Sequence, residues 1–511
     1  MLFKIAFICI VLINLENKNV CSPYLWFLLS HLTFKNTTKI SSRFSVFAVK
    51  RINIYCSIDK VLFMKKILVF AVVVLLLNSS CQQKRAPQLT SADIGKVINQ
   101  MTELMIHDIT NPPLAARFFS YACLAGYEVV SENNTAFKSM HGIVRDYPAI
   151  ARPDSIKGYS SQLAAVLAMI ETAKKLQPSG SLLNKYEQTF LDSCKNIGFN
   201  DETVEQSLRY AQVISRSILQ YAKADAYNKL SNLPRYTPIN KEGCWYPTPP
   251  AYIAAIEPYF SRVRPFLLDS AGQFRVAPPT PFSKDKNSAF YKLMYANYQQ
   301  AEDSLSEENR HIAAFWDCNP FAVQDQGHLM IGLKKISPGA HWLGITNIVC
   351  GQTGKSFEET LFIHTVVAMG LMDSFMACWD EKYRSNRIRP ETAIRQLIDV
   401  RWKPLLQTPP FPEYLSGHSC ISTTSATILS HYFGEHVGFT DTVEVRYGLP
   451  PRHFNSFNQA AEEAAISRFY GGIHFMDAIT EGVEQGKKVG EWVIGKMDKA
   501  NVDGALAERG K

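Results

Sequence analysis

The chain contains no C-x-x-C pair, no H-E-x-x-H and no internal repeat. The first absence removes the cysteine spacing that marks a structural zinc site, so such a site is not expected. The second removes the zinc-protease signature. The third removes solenoids and propellers. After residue 81 no uncharged apolar run approaches the ~20 residues of a membrane span, so that part is expected to be soluble. Few stretches alternate with period 2, which leaves little for a sheet. Charged residues make up only 20% of the 511-residue chain and apolar residues 46%. That balance excludes disorder and collagen-like classes for the chain as a whole. The length fits two to four domains with a core that needs no disulfide staples.

The formal charge of +8 suggests a nucleic acid or an anionic membrane until its position is considered. Residues 1–63 hold eight Lys/Arg and two acids, so six of the eight net charges lie there. Residues 81–511 are formally neutral, with 44 basic and 44 acidic groups, and a nucleic-acid partner has no support.

Residues 64–81 read MKKILVFAVVVLLLNSSC. Lys65 and Lys66 form a positive start, Ile67–Leu77 an apolar stretch of eleven, and small polar residues lead to Cys81. This is the pattern of a secretory signal. It resembles a bacterial lipoprotein signal in which Cys81 carries the lipid anchor, giving an exported protein in the periplasm or on its membrane. A transmembrane anchor is the competing reading, but eleven apolar residues are short for one. A signal belongs at a protein's start, so Met64 is read as the true start and 1–63 as spurious upstream translation. A genuine leader beginning MLFKIAFICIVLI is the alternative. Seven cysteines follow Cys81, an odd number that leaves at least one thiol free. Export permits disulfides, but most of these cysteines read as small buried apolar residues.

Helical spacing dominates the rest, and the fold class is all-α with roughly a dozen helices. Stripes three or four residues apart predict helices over 92–107, 160–176, 202–230, 356–379, 418–433, 458–470 and 474–498. Asn200 or Asp201 caps the third, and Ser356-x-x-Glu359 is a capping box for the fourth. Two Pro-rich stretches, Leu233–Pro250 and Gly272–Lys284, interrupt the pattern. A soft boundary near 300 divides an N-terminal helical region (82–300) from a C-terminal one (301–505).

Three C-terminal segments collect unusual polar groups. Lys382 and Arg389 stand seven apart, two helical turns, and Pro390 ends or bends that helix. In Phe411-Pro-Glu-Tyr-Leu-Ser416-Gly417-His418, Ser416 is a good helix cap, Gly417 permits close backbone approach, and the free N–H groups of a helix start bind oxyanions. In Ser467-Arg468-Phe-Tyr-Gly471-Gly472-Ile-His474, the glycine pair breaks one helix and His474 starts the next. Asp477, three residues on, shares its helical face and is expected to orient the imidazole. Taken singly, each segment reads as a cap, a corner or a solvated helix end. Together they supply three cations, a helix N-terminus, a hydroxyl and two imidazoles, the inventory for binding and transforming a tetrahedral oxyanion.

The order Lys382-x6-Arg389-Pro390, Ser416-Gly417-His418 and Ser467-Arg468-x5-His474 resembles the phosphatidic acid phosphatase type 2 / vanadium-dependent haloperoxidase superfamily. Trp379, Tyr246–Pro250, Glu257, Val263–Phe266 and Ala314–Trp316 resemble its soluble haloperoxidase-like branch, so the likeness spans about 240–500. The resemblance implies a helical bundle whose oxyanion is held by Lys382, Arg389, Ser416, Gly417 and Arg468. In the haloperoxidase branch the cofactor is vanadate, His474 ligates vanadium, His418 moves the proton, Trp379 and Phe411 shape the halide pocket, and peroxide oxidises halide. In the phosphatase branch there is no cofactor. His474 attacks the phosphate ester to give a phosphohistidine, and His418 protonates the leaving group. Two departures stand out: Leu415 replaces the Pro usual before Ser-Gly-His, and Asp477 lies at +3 from His474 where the family has a carboxylate at +4. A third class, a non-catalytic exported helical lipoprotein, is disfavoured by the complete Lys/Arg/His set.

Gly351-Gln-Thr-Gly-Lys355-Ser356 ends like a P-loop, but Val349 stands where that motif needs its first glycine. His431 and His436 are five apart, off one helical face. His328 and His341 sit in a loop-like stretch near Gly and Pro. The resemblance suggests that they shape the site entrance, and a structural role is the plainer expectation.

Overall fold

The computed structural model describes residues 64, 86–151, 154–300, 305–325, 330–333 and 335–500. The signal-like segment after Met64, including Cys81, and His328 lie outside them. Thirteen α-helices occur among the described residues, with a few three-residue strands.

The N-terminal helices are α1 (Ser91–His107), α2 (Pro112–Asn133), α3 (Ser161–Leu176), α4 (Leu183–Asn196) and α5 (Asp201–Lys223). Asn111 caps α2 by accepting from the Leu114 N–H at 2.9 Å, with Pro112 and Pro113 in the first turn. Asn200 caps α5 by accepting from the Thr203 N–H at 2.7 Å. α5 stops at Lys223, short of the expected 230, and Tyr227–Asn232 forms a separate 3-10 turn. Then come α6 (Ala289–Gln299), α7 (Glu307–Phe315), α8 (Pro338–Gln352) and α9 (Phe357–Ser385). The Ser356–Glu359 capping box starts α9: the Glu359 N–H donates to Ser356 Oγ at 3.1 Å and the Ser356 N–H to Glu359 Oε2 at 2.8 Å. The P-loop-like tail is thus a helix start.

α9 is long and apolar enough to cross a membrane, yet its apolar window is buried inside the protein. A helix that is apolar all round is a core helix. Tyr127 of α2 packs on Phe362 of α9 with ring centres 5.6 Å apart. Residues from both sides of position 300, such as Phe119 and Leu163 or Met372 and Ile428, share one core.

Asn386, in the left-handed conformation (φ 49°), ends α9. Pro390 then opens α10 (Pro390–Leu397) instead of bending α9, because proline suits the first helical position. α11 (Gly417–Phe433), α12 (Phe457–Tyr470) and α13 (Met476–Ala500) complete the bundle. Gly482, Gly486 and Gly490 let α13 lie directly on α11: a Cβ on Gly486 would stand 2.2 Å from the Cys420 carbonyl oxygen. Two short antiparallel ribbons close loops, β1 (Val323–Asp325) with β2 (Met330–Gly332) and β3 (Phe439–Asp441) with β4 (Arg452–Phe454).

One buried carboxylate ties the segment between the two Pro-rich stretches to the core. Asp373 of α9 accepts the N–H groups of Phe266, Leu267 and Leu268 at 2.7–3.0 Å. The same loop region supplies Ile256, whose carbonyl accepts from Trp379 Nε1 at 3.3 Å and from the Tyr383 hydroxyl at 2.5 Å.

Candidate oxyanion site

The end of α9, the start of α10, the start of α11 and the α12–α13 corner meet in one place. A small cavity there is lined by Trp379, Phe411, Gly417, His418, Arg468 and His474, among others, and its described lining includes no Asp or Glu. Lys382, Arg389 and Ser416 lie behind that wall and are fully buried.

Lys382 is held by three carbonyls. Its Nζ donates to Pro412 at 3.0 Å, to Glu413 at 3.1 Å and to Leu415. Phe411 covers it with the ring centre 5.0 Å away. Arg389, the residue before Pro390, donates from Nε to the Phe411 carbonyl at 3.0 Å and from Nη1 to the Ile473 carbonyl at 2.9 Å. Its Nη1 also faces His474 Nε2 at 3.1 Å, while Nη2 is buried without a partner. Arg468 is anchored at the end of α12, donating from Nη2 to the Trp316 carbonyl at 2.6 Å. The Phe411–Ser416 loop therefore serves twice, fixing two cations through its carbonyls and leading into a helix start. Its Tyr414–Leu415 peptide is cis, at the leucine that replaces the usual proline.

Ser416 caps α11, accepting from the Ser419 N–H at 3.3 Å and the Ser419 hydroxyl at 2.8 Å. Gly417 is the first helical residue, so its N–H has no acceptor within the helix. A Cβ there would meet only Trp379, at an ordinary 3.6 Å, so packing does not demand the glycine. His418 follows, with Nε2 shielded from water and unpartnered. Trp379 and Phe411 stack obliquely 4.9 Å apart along one wall.

The expectation for Asp477 is corrected. His474 precedes α13, which begins at Met476, so the shared-face argument does not apply. Glu413 orients the imidazole instead: His474 Nδ1 stands 2.9 Å from Glu413 Oε1, which also accepts the Phe475 N–H at 2.9 Å. Asp477 forms a two-pronged pair with Arg387 at 2.6 and 2.7 Å, and Arg387 Nε donates to Glu413 Oε2 at 2.6 Å. Asp477 thus acts through Arg387 and Glu413. Neither Glu413 nor Arg387 was assigned a role from the sequence. The available signal was Glu413's place three residues before Ser416, in the segment already singled out.

A carboxylate only accepts, so His474 Nδ1 carries the proton and Nε2 presents its lone pair. Burial, then Arg389, Lys382 and Arg468, hold His474 well below its usual pKa, in the neutral form. Burial, then Arg468 and His474, do the same to His418. Burial also pulls Lys382 down to about 8 and Arg389 to about 10. A cluster of buried cations around a cavity whose described lining has no acid is stabilised by an anion.

The family model for the VCPO second helical-bundle domain matches residues 396–502. A bacterial vanadium-dependent iodoperoxidase structure is 42% identical, with a TM-score of 0.75, covering 81% of this chain and 98% of its own. Two bacterial vanadium-dependent chloroperoxidase structures, holo-type and apo-type, share the fold at 16% and 14% identity, with TM-scores of 0.60 and 0.58; they cover 78% and 77% of this chain and 94% and 96% of their own. No curated protein sequence matches. The chain belongs to the vanadium-dependent haloperoxidase family, within the superfamily it shares with the type 2 acid phosphatases.

Proposed function

We propose that this enzyme binds vanadate and oxidises halide, iodide in particular, with hydrogen peroxide. The observation that carries the reading is the acid-free cavity where His474 stands beside the unpartnered buried atoms Arg389 Nη2 and His418 Nε2. The 42% identity to an iodoperoxidase supports iodide as a substrate.

The residues fit vanadate. Lys382, Arg389 and Arg468 would balance its charge, the Ser416 hydroxyl and Gly417 N–H would donate to its oxygens, and His474 Nε2 would hold the metal. Bound vanadate supplies a Lewis acid that activates peroxide toward a halide nucleophile. Glu413 keeps the His474 proton on Nδ1, so Nε2 stays a donor of electrons. His418, kept neutral, takes a proton at Nε2 and returns it as the halide is oxidised. Trp379 and Phe411 exclude water from one side.

One dialysed sample assayed two ways tests this. With orthovanadate and peroxide it is expected to oxidise iodide, and bromide more slowly. Without vanadate it is expected to leave a soluble phosphate monoester intact. Hydrolysis of the ester with no halide oxidation at any pH would replace the reading with a phosphatase. The Met64–Cys81 pattern supports export as part of the same proposal, with Cys81 as the anchor. N-terminal mapping of the native precursor tests the start, and a product beginning before Met64 contradicts it.

A further inference from the structure

A second cluster that the mechanism does not use adjoins the oxyanion cavity and shares one lining residue, Cys318, with it. Cys318 follows α7, His341 sits in the first turn of α8, and Glu444 lies between β3 and β4. All three are buried. Their ligand atoms form a tight triangle: Cys318 Sγ to His341 Nδ1 is 3.5 Å, Cys318 Sγ to Glu444 Oε1 is 3.8 Å, and His341 Nδ1 to Glu444 Oε1 is 3.3 Å. Zinc bonded at about 2.3 Å to sulfur and about 2.0–2.1 Å to nitrogen and oxygen has tetrahedral edges of about 3.3–3.6 Å, so the triangle closely matches one face of such a site.

The surroundings support the same chemistry. His341 Nε2 stands 2.7 Å from Asp441 Oδ2, so Nε2 carries a proton. That is the arrangement by which a carboxylate orients a metal-binding imidazole, leaving the Nδ1 lone pair for the cation. Trp316 stacks on His341 with ring centres 4.7 Å apart and shields it. The donor set of one sulfur, one nitrogen and one carboxylate oxygen suits a borderline-soft divalent ion.

We propose that Cys318, His341 and Glu444 bind a zinc-class divalent cation, with Asp441 orienting His341. On binding, the Cys318 thiol loses its proton to solvent, and His341 coordinates as the neutral ring. The positions 318, 341 and 444 are far apart in sequence, which explains why no local cysteine spacing announces the site. The cation joins two loops and the start of α8, and one of those loops holds the Trp316 carbonyl that anchors Arg468.

The whole chain, freed of vanadium, is incubated with zinc, desalted and analysed for metal. One zinc per chain is expected, with loss of that zinc in Cys318→Ser and Glu444→Gln. Asp441→Asn is expected to weaken zinc affinity by about 10–100-fold. Cobalt-loaded wild-type protein is expected to show a near-ultraviolet thiolate-to-cobalt band, which decides the matter if the variants do not fold. Zinc well below one per chain, zinc unchanged in both variants, or no cobalt band would overturn the proposal. The triangle would then be an imidazolium shared between Asp441 and Glu444.

Discussion

Glu413 governs what His474 can do, because it alone accepts the Nδ1 proton and it is in turn held by Arg387. Glu413→Gln is expected to lower vanadate affinity or vanadate-dependent activity by about 10–100-fold. Asp477→Asn, one partner further out, is expected to do less. Titration of both variants with orthovanadate tests the order, and a larger loss for Asp477→Asn would restore Asp477 as the orienting group. His418→Ala is expected to reduce kcat by about 10²–10⁴-fold while vanadate still binds. Equal losses in binding and turnover would make His418 a ligand-holding residue. The cationic and imidazole positions were legible in the sequence because their types and order are unusual. The orienting carboxylate was not, since hydrogen bonding to His474 depends on how a loop folds back 61 residues away.

At the scale of elements, stripes and caps located α1, α3, α5, α9 and α11 to within a few residues at their starts, although α9 and α11 are buried on nearly every side. α2 and α8, also largely buried, were not singled out. Proline both stops one helix and starts another: α9 ends at Asn386, four residues before Pro390, and Pro390 opens α10. The contact between α11 and α13 depends on small residues, and this can be measured. Gly486→Ala is expected to destabilise the protein by about 1–3 kcal/mol, since its Cβ would meet the Cys420 carbonyl. Gly495→Ala, on the same helix with open space around it, is expected to stabilise by about 0.5–1 kcal/mol. Urea midpoints of the two variants check this, and a neutral Gly486→Ala would contradict the close packing.

Across the whole molecule, the formal charge that first suggested an anionic partner belongs mostly to residues 1–63. The positive charge of the site is local and buried, so it shapes stability as well as chemistry. His364, inside α9, is pulled down to about 4 by burial. The unfolded chain therefore takes up this proton first as pH falls. Stability is full above about 6.5 and falls toward pH 4, by about 3 kcal/mol for this group. Glu128, pushed up to about 7 by burial, acts with the opposite sign over part of that window. The difference between wild type and His364→Leu isolates the imidazole: the variant's urea midpoint is expected to fall less between pH 6.5 and 4, and an equal fall would contradict the assignment.

The most direct test follows iodide oxidation while vanadium-free protein is titrated with orthovanadate in the presence of peroxide. Activity is expected to rise from nothing and saturate at one vanadate per chain, and His474→Ala is expected to stay inactive throughout. Oxidation without vanadate, or undiminished activity in His474→Ala, would contradict the assignment of this cavity as the vanadate site.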